Sequence, residues 1–339
     1  MVKQDVWMIE PILDGKLPCR KGYFSKAELQ RFTASNRLAP IALQRISWIN
    51  GRYHSSWSPI IPGRKNFLES PSELWSNLAS NLASQRTGAE LSGMSNPTQE
   101  KIAALLDDRT EDERLAESIS LSLRSMDINV EQIAEFYHER LVDTLSAGEL
   151  DGQRSASIGD QTLFADAHSF FMHLGAARDY LGAFVAARIG EDPRKIDSMG
   201  RLTHALRPHH FGTDGLLALL SSQKFIQPSP KNPSRWEVSG WLKEASDLRN
   251  EFMHHRPYGS RFIERFGYIA AILPEIGLYR YIRPILTSDG FQRDALDVVL
   301  YHYKNSTNLF QQMADISGHD ISMLTITDED IISANWTQR

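Results

Sequence analysis

Between Leu163 and Ile189 the chain carries an almost unbroken apolar run that includes Phe164, Ala167, Phe170, Phe171, Leu174, Ala177, Leu181, Phe184 and Val185. Apolar positions fall on every side of a helix of this length. The segment is therefore predicted to be the core helix of a bundle, not a surface helix with one apolar stripe. Its polar insertions, His168, His173, Arg178 and Asp179, are where such a helix can offer chemistry to a neighbour. His173 and Asp179 lie about 240° apart and so do not share a face. No stretch of the sequence reaches the roughly 18 apolar residues of a membrane helix.

Helical periodicity recurs on both sides of this run. Ser70-Pro71 opens one helix and Asn96-Pro97 another, the latter with proline at the first helical position. Glu111–Arg124 and Val130–Leu145 read as two helices separated by Asp127-Ile128-Asn129, and Ser84–Ser95 reads as a loop. Near the start, Val6–Ile9 reads as a short strand and Ser25–Phe32 as a helix with a capping box. Asn50-Gly51 between apolar runs marks a β-hairpin over Ile46–Tyr53, with Trp57, Pro59 and Pro62-Gly63 in the loop beyond. Past the central run, Gln227–Arg235 reads as an exposed loop and Val238–Phe252 as a helix. Residues 262–273 and 276–286 read as two short apolar helices, and 291–316 as a last long one. Ser146–Gly159, dense in Ser, Gly and Asp, is the expected domain boundary. The expected fold is mainly α. A four- or five-helix bundle spans 155–320, a mostly helical region with a small β-hairpin spans 1–150, and a polar, acidic tail spans 321–339.

The chemistry gathers at Asp247-Leu248-Arg249-Asn250-Glu251-Phe252-Met253-His254-His255-Arg256-Pro257. Trp241, Leu242, Ala245, Leu248 and Phe252 give its helix one buried face, and Pro257 ends it. Asn250 and His254 share a face. Arg249 stands about 140° from His254 on an ideal α-helix. The two converge on one ligand only if the last turn is loosened or a second copy of the helix lies alongside. A helix end with basic residues set against the macrodipole is the bland alternative.

Arg249, the adjacent polar Asn250 and His254 four intervening residues on resemble the signature of the HEPN superfamily, α-helical domains that include many metal-independent RNases of toxin–antitoxin and anti-phage systems. His255 matches with five intervening residues. The resemblance covers the motif and its helical surroundings and leaves residues 1–150 unrecognised. It implies a homodimer with a composite cleft, an RNA substrate, no cofactor and no metal, with Arg249, Asn250 and His254 as catalytic residues and His255 as a second candidate histidine. It also implies a polar side chain, Asp179 or Arg178, facing the site from the first helix of the domain. A toxin of this kind has an antitoxin or regulatory protein as partner. A non-catalytic HEPN-like module that binds RNA, nucleotide or protein is the alternative.

Arg256, Arg207, His209, His210 and Arg178 are candidate phosphate contacts. The cluster Arg201, His204, Arg207, His209 and His210 reads equally as a structural helix end. It lacks a carboxylate or cysteine at ligand spacing, and Pro208 separates its histidines, so a metal site is disfavoured. A net charge of −5 argues against a protein that coats long nucleic acid through its overall field. The single cysteine, Cys19, and the absence of a signal-like start lead to the expectation of a cytoplasmic protein. No P-loop, dinucleotide fingerprint, nucleophile elbow or HExxH occurs.

Overall fold

The computed structural model describes residues 8–13, 40–49, 52–59, 70–94, 97–147, 152–212, 214–273, 278–287 and 290–323, with the strands before residue 60 described by their backbone pairing. Within these residues the chain is mainly α-helical, with small antiparallel strand pairs. The helices are α1 (Pro71–Ser92), α2 (Gln99–Asp107), α3 (Glu111–Ser146), α4 (Asp160–Arg188), α5 (Met199–Ala205), α6 (Gly215–Ser222), α7 (Gly240–Asn250) and α8 (Ala295–Asp315).

The apolar run is α4, the hub of the packing. It lies along α3 and meets α5, α7 and α8. Leu163, Phe170, Leu174, Leu181 and Phe184 are fully buried on it, each contributing about 1.5–3 kcal/mol by leaving water. Trp75 of α1 meets the edge of Phe184 at 5.2 Å and donates its indole N–H to the Phe310 carbonyl at 3.0 Å, joining α1, α4 and α8. Helices from both sides of Ser146–Gly159 share one continuous core.

Several elements differ from the sequence reading. The expected break at Asp127-Ile128-Asn129 is absent, and α3 runs through it for 36 residues, about 54 Å. Asp and Asn favour breaks because their side chains compete for local backbone bonds. Here Asp127 is instead occupied at long range, accepting from Tyr303 Oη at 2.7 Å and Ser72 Oγ at 3.2 Å. α1 continues to Ser92 through the expected loop. Thr87 and Ser92 bond back to helix carbonyls, and Arg86 reaches Glu113 on α3 at 2.8 Å. α2 starts from Thr98 as cap, with Pro97 outside the helix.

Gln227–Arg235 belongs to a hairpin of β4 (Ile226–Ser229) and β5 (Asn232–Val238). A two-stranded ribbon has two edges, so it tolerates Pro228 and Pro233. The two short helices expected over 262–286 are strands after one 3-10 turn at Phe262–Arg265. These are β6 (Tyr268–Leu273) paired with β7 (Leu278–Ile282), and β8 (Pro284–Leu286) paired with β9 (Gln292–Asp294). Tyr281, Arg283, Pro284 and Ile285 are buried, and the arginine between β7 and β8 interrupted the apolar pattern.

At the N-terminal end, β1 (Met8–Leu13), β2 (Pro40–Ile49) and β3 (Arg52–Pro59) form an antiparallel sheet in that order. Ile49 pairs with Arg52, the register of the expected two-residue hairpin. Trp57 and Pro59 belong to β3 and not to a loop. The helix expected over Ser25–Phe32 lies outside the described residues. At the other end the start of the tail is tied to α1: Asn77 and Asn81 bond the carbonyls of Asp320, Ile321 and Ser322 at 2.9–3.2 Å.

Burial pushes the Asp127 carboxyl up to about 7, with the Tyr303 and Ser72 hydroxyls opposing the shift. Its folded value lies above its unfolded one. Its stabilising contribution is therefore complete below about pH 4 and is lost as pH rises through 7. The expected result is that wild type loses stability relative to Asp127→Asn between pH 4 and 8, by on the order of a few kcal/mol. Urea titrations of both proteins across that range check it, and parallel curves would refute it.

Candidate active site

α7 presents Trp241, Leu242, Ala245 and Leu248 to the core, with Phe252 just beyond its end. Its final turn, Glu251–His255, is a π-helical turn, closed by the Arg256 N–H donating to the Glu251 carbonyl five residues back at 2.7 Å. Such widened turns are rare and recur at functional sites. A bond spanning five residues opens the helix, so His254 is rotated toward the Arg249 side relative to an unbroken α-helix. Arg256 is extended, as the residue before proline prefers.

α4 grips this tip at two levels. At the first, the Arg249 guanidinium reaches Asp179 Oδ2 at 3.4 Å. Arg249 lies flat across Gly175, where an added Cβ would stand 2.6 Å from its Cδ. The other oxygen of Asp179 accepts from Arg178 at 2.8 and 3.2 Å and from the Met199 N–H at 3.3 Å. Two guanidinium groups around one carboxylate leave the locus net positive. Arg178 is only 11% exposed and Arg249 is 36% exposed, so Arg249 is the one that offers a face to a ligand.

At the second level, His168 stacks on Phe252 at 5.2 Å and accepts the Tyr258 N–H on Nε2 at 2.9 Å. Burial holds the His168 pKa below the ordinary value, and accepting on Nε2 requires the neutral ring with its proton on Nδ1. Gly259, at φ +84°, lies against the Phe164 ring where a Cβ would clash, so glycine is required there. Glu251 pairs with Arg261 at 2.8 Å, and Glu264 accepts the Gly259 N–H at 3.0 Å, closing the loop behind the tip.

The predicted residues divide accordingly. Arg249 faces α4. Asn250 and His255 line a cleft of about 420 Å³ with Asp247, Glu251, Arg261 and Thr287. His254, His255 and Arg256 are exposed, and among the described residues neither histidine side chain has a hydrogen-bond partner. No bond joins Arg249 to His254 within one chain.

No protein-family model, curated protein or solved structure matches the chain.

Three of the remaining candidates, Arg178, His210 and Arg207, make structural contacts. Arg178 is tied to Asp179 and is not a free phosphate contact. His210 is buried, accepts the Arg207 N–H at 3.2 Å and stands 3.7 Å from Glu191, so it is a turn-forming residue and not a surface contact. Exposed His209 meets the edge of its ring at 4.2 Å. One Nη of Arg207 caps three carbonyls at the end of α5. No group of three or more His, Cys, Asp or Glu side chains converges as a metal site among the described residues.

Gly175 and the roles of His168, Glu251 and Arg261 escaped the sequence reading. The first two had a signal. His168, Gly175 and Asp179 fall within about 40° on α4, and Phe164 and Phe171 lie beside them on the Gly175 side. That single face holds the motif.

Proposed function

We propose that this chain is a metal-independent endoribonuclease of HEPN type, acting as a toxin or anti-phage effector, with its site at the α7 tip. One observation carries the reading. Arg249 is laid across Gly175 and oriented by Asp179 with one face open, and the widened turn beside it bears His254 and His255.

A phosphodiester needs a fixed cation to take up charge as it becomes pentacoordinate, and a guanidinium does this in fork geometry. The ribose 2′-hydroxyl attacks the adjacent phosphorus and gives up its proton to a histidine. The bond to the 5′-oxygen breaks, that oxygen takes a proton, and a 2′,3′-cyclic phosphate remains. Imidazole is suited to both transfers near neutral pH. His254, or His255 from the cleft side, fills that role, and Asn250 orients the phosphate. Pairing of two α7 tips about a two-fold axis supplies the second histidine. The reading makes RNA the substrate, a second copy the partner, and an antitoxin or regulatory protein the binder that restrains it.

The test incubates the purified chain with RNA in EDTA, beside His254→Ala and His255→Ala. Wild type should cut and leave cyclic-phosphate ends, and one histidine variant should lose about 100-fold or more. Equal cleavage by all three removes both histidines from the mechanism. The second reading, a non-catalytic module, draws on the engagement of Arg249 by Asp179, which serves packing equally well. It predicts RNA or partner binding with the RNA left whole.

A further inference from the structure

About 490 Å³ of open groove lies between the end of α5 and the β4–β5 hairpin, lined by Thr203, His204, Arg207, Asn232, Ser234 and Arg235, with Leu206 below. No carboxylate lines it, in a chain whose net charge is −5. Arg207 is held in place because one Nη donates to the carbonyls of His204, Ala205 and Leu206 at 2.9–3.0 Å. Its other Nη and its Nε have no partner among the described residues, so the rest of the fork is fixed yet free. Arg235, on the opposite wall, is exposed and has no acidic partner among the described residues. Asn232 is set by the turn it makes, with its side-chain oxygen accepting the Ser234 N–H at 3.1 Å.

The groove connects to the motif through α5. The first residue of that helix donates its N–H to Asp179, the carboxylate that orients Arg249. Its seven residues rise about 10 Å and end at Ala205, two residues before Arg207. The groove is thus joined to the Arg249 locus through Asp179 and one short helix.

We propose that the groove binds the sugar–phosphate backbone of single-stranded RNA, with Arg207 and Arg235 on phosphates and Asn232, Ser234 and His204 on phosphate or 2′-hydroxyl oxygens. This rests on the ribonuclease reading for the identity of the strand. The wall chemistry favours RNA over an acidic protein segment. Protein partners anchor through buried aromatic or aliphatic side chains, and this groove offers one leucine among hydrogen-bonding groups, the set that backbone contacts use.

The test uses the full chain and a fluorescent 2′-O-methyl oligoribonucleotide, which cannot be cut. Anisotropy titrations run over a salt series on wild type, Arg235→Ala and Arg235→Glu. Arg235 stands on an exposed hairpin, so these variants keep the fold, which a melting curve checks. Arg235→Ala should flatten the slope of log K against log salt by about 0.7. Arg235→Glu should weaken binding about tenfold at low salt. Unchanged slope and affinity in both variants, or wild-type binding to polyglutamate and not to the oligonucleotide, overturns the proposal. The two readings fail separately. Cleavage by wild type with groove variants binding at full strength removes the groove alone. Loss of binding in the groove variants with no cleavage by wild type removes the nuclease alone.

Discussion

Arg249→Ala is expected to lower RNA cleavage by about 10²- to 10³-fold, the usual loss when one preorganised donor to a developing anion is removed. Arg249 is 36% exposed and rests on the outside of α4, so its removal opens no core cavity, and a melting curve should move little. Two further variants separate the presence of the guanidinium from its placement. Asp179→Asn keeps a polar acceptor and removes the charge that orients Arg249. Gly175→Ala drives a methyl to within 2.6 Å of the Arg249 Cδ. Because a flexible side chain and not backbone is in the way, Arg249 swings off and the fold survives. Both should cut kcat by more than they raise KM, since a displaced charge fails mainly in the transition state. Full activity in Arg249→Ala would end the assignment. Full activity in Gly175→Ala would show that the pose on α4 is incidental.

The largest expected effect on stability is at Arg283, which is fully buried at 0% exposure. Its guanidinium pairs with Asp160 at 2.7 Å and donates to the carbonyls of Glu264 at 3.0 Å and Arg265 at 2.9 Å. It also lies over the Phe164 ring at 5.3 Å. Arg283→Met fills similar volume but leaves the buried Asp160 carboxylate with only its Ser157 donors and no cation, and strands two carbonyls. The expected loss is about 3–5 kcal/mol, a drop in Tm of roughly 10 °C. Adding Asp160→Asn should recover part of that loss, because the two charges then leave together. Arg283 secures the Glu264 segment that holds the loop behind the motif, so the single variant should also lower RNA cleavage. A loss below about 1 kcal/mol in a urea titration would mean that the pair is worth no more than a surface bridge.

How far each part was legible follows from the range of the interactions that decide it. The α4 run, the α7 stripe ending at Pro257 and the Asn50-Gly51 register are written in spacings of two to four residues, and they needed no partner to be read. Asp127 could not be read that way. It looks like a helix breaker until Tyr303 and Ser72 arrive from distant segments to occupy it. Arg283 concealed a buried link between β7 and β8 for the same reason, since a cation reads as exposed until its buried partners are known. The spacing of His168, Gly175 and Asp179 puts them on one face, but nothing in the sequence says which helix lies across it.

The amino-acid order by itself determined a mainly helical chain built on one long apolar helix and carrying Arg249, Asn250, His254 and His255 at the end of another. Those are consequences of periodicity and of proline geometry, both local. Only the tertiary structure decided that Arg249 rests on Gly175 against Asp179, that the last turn widens, and that Arg178 and His210 are taken up internally. Side-chain charges choose partners by distance in space, and that distance exists only after the helices have packed.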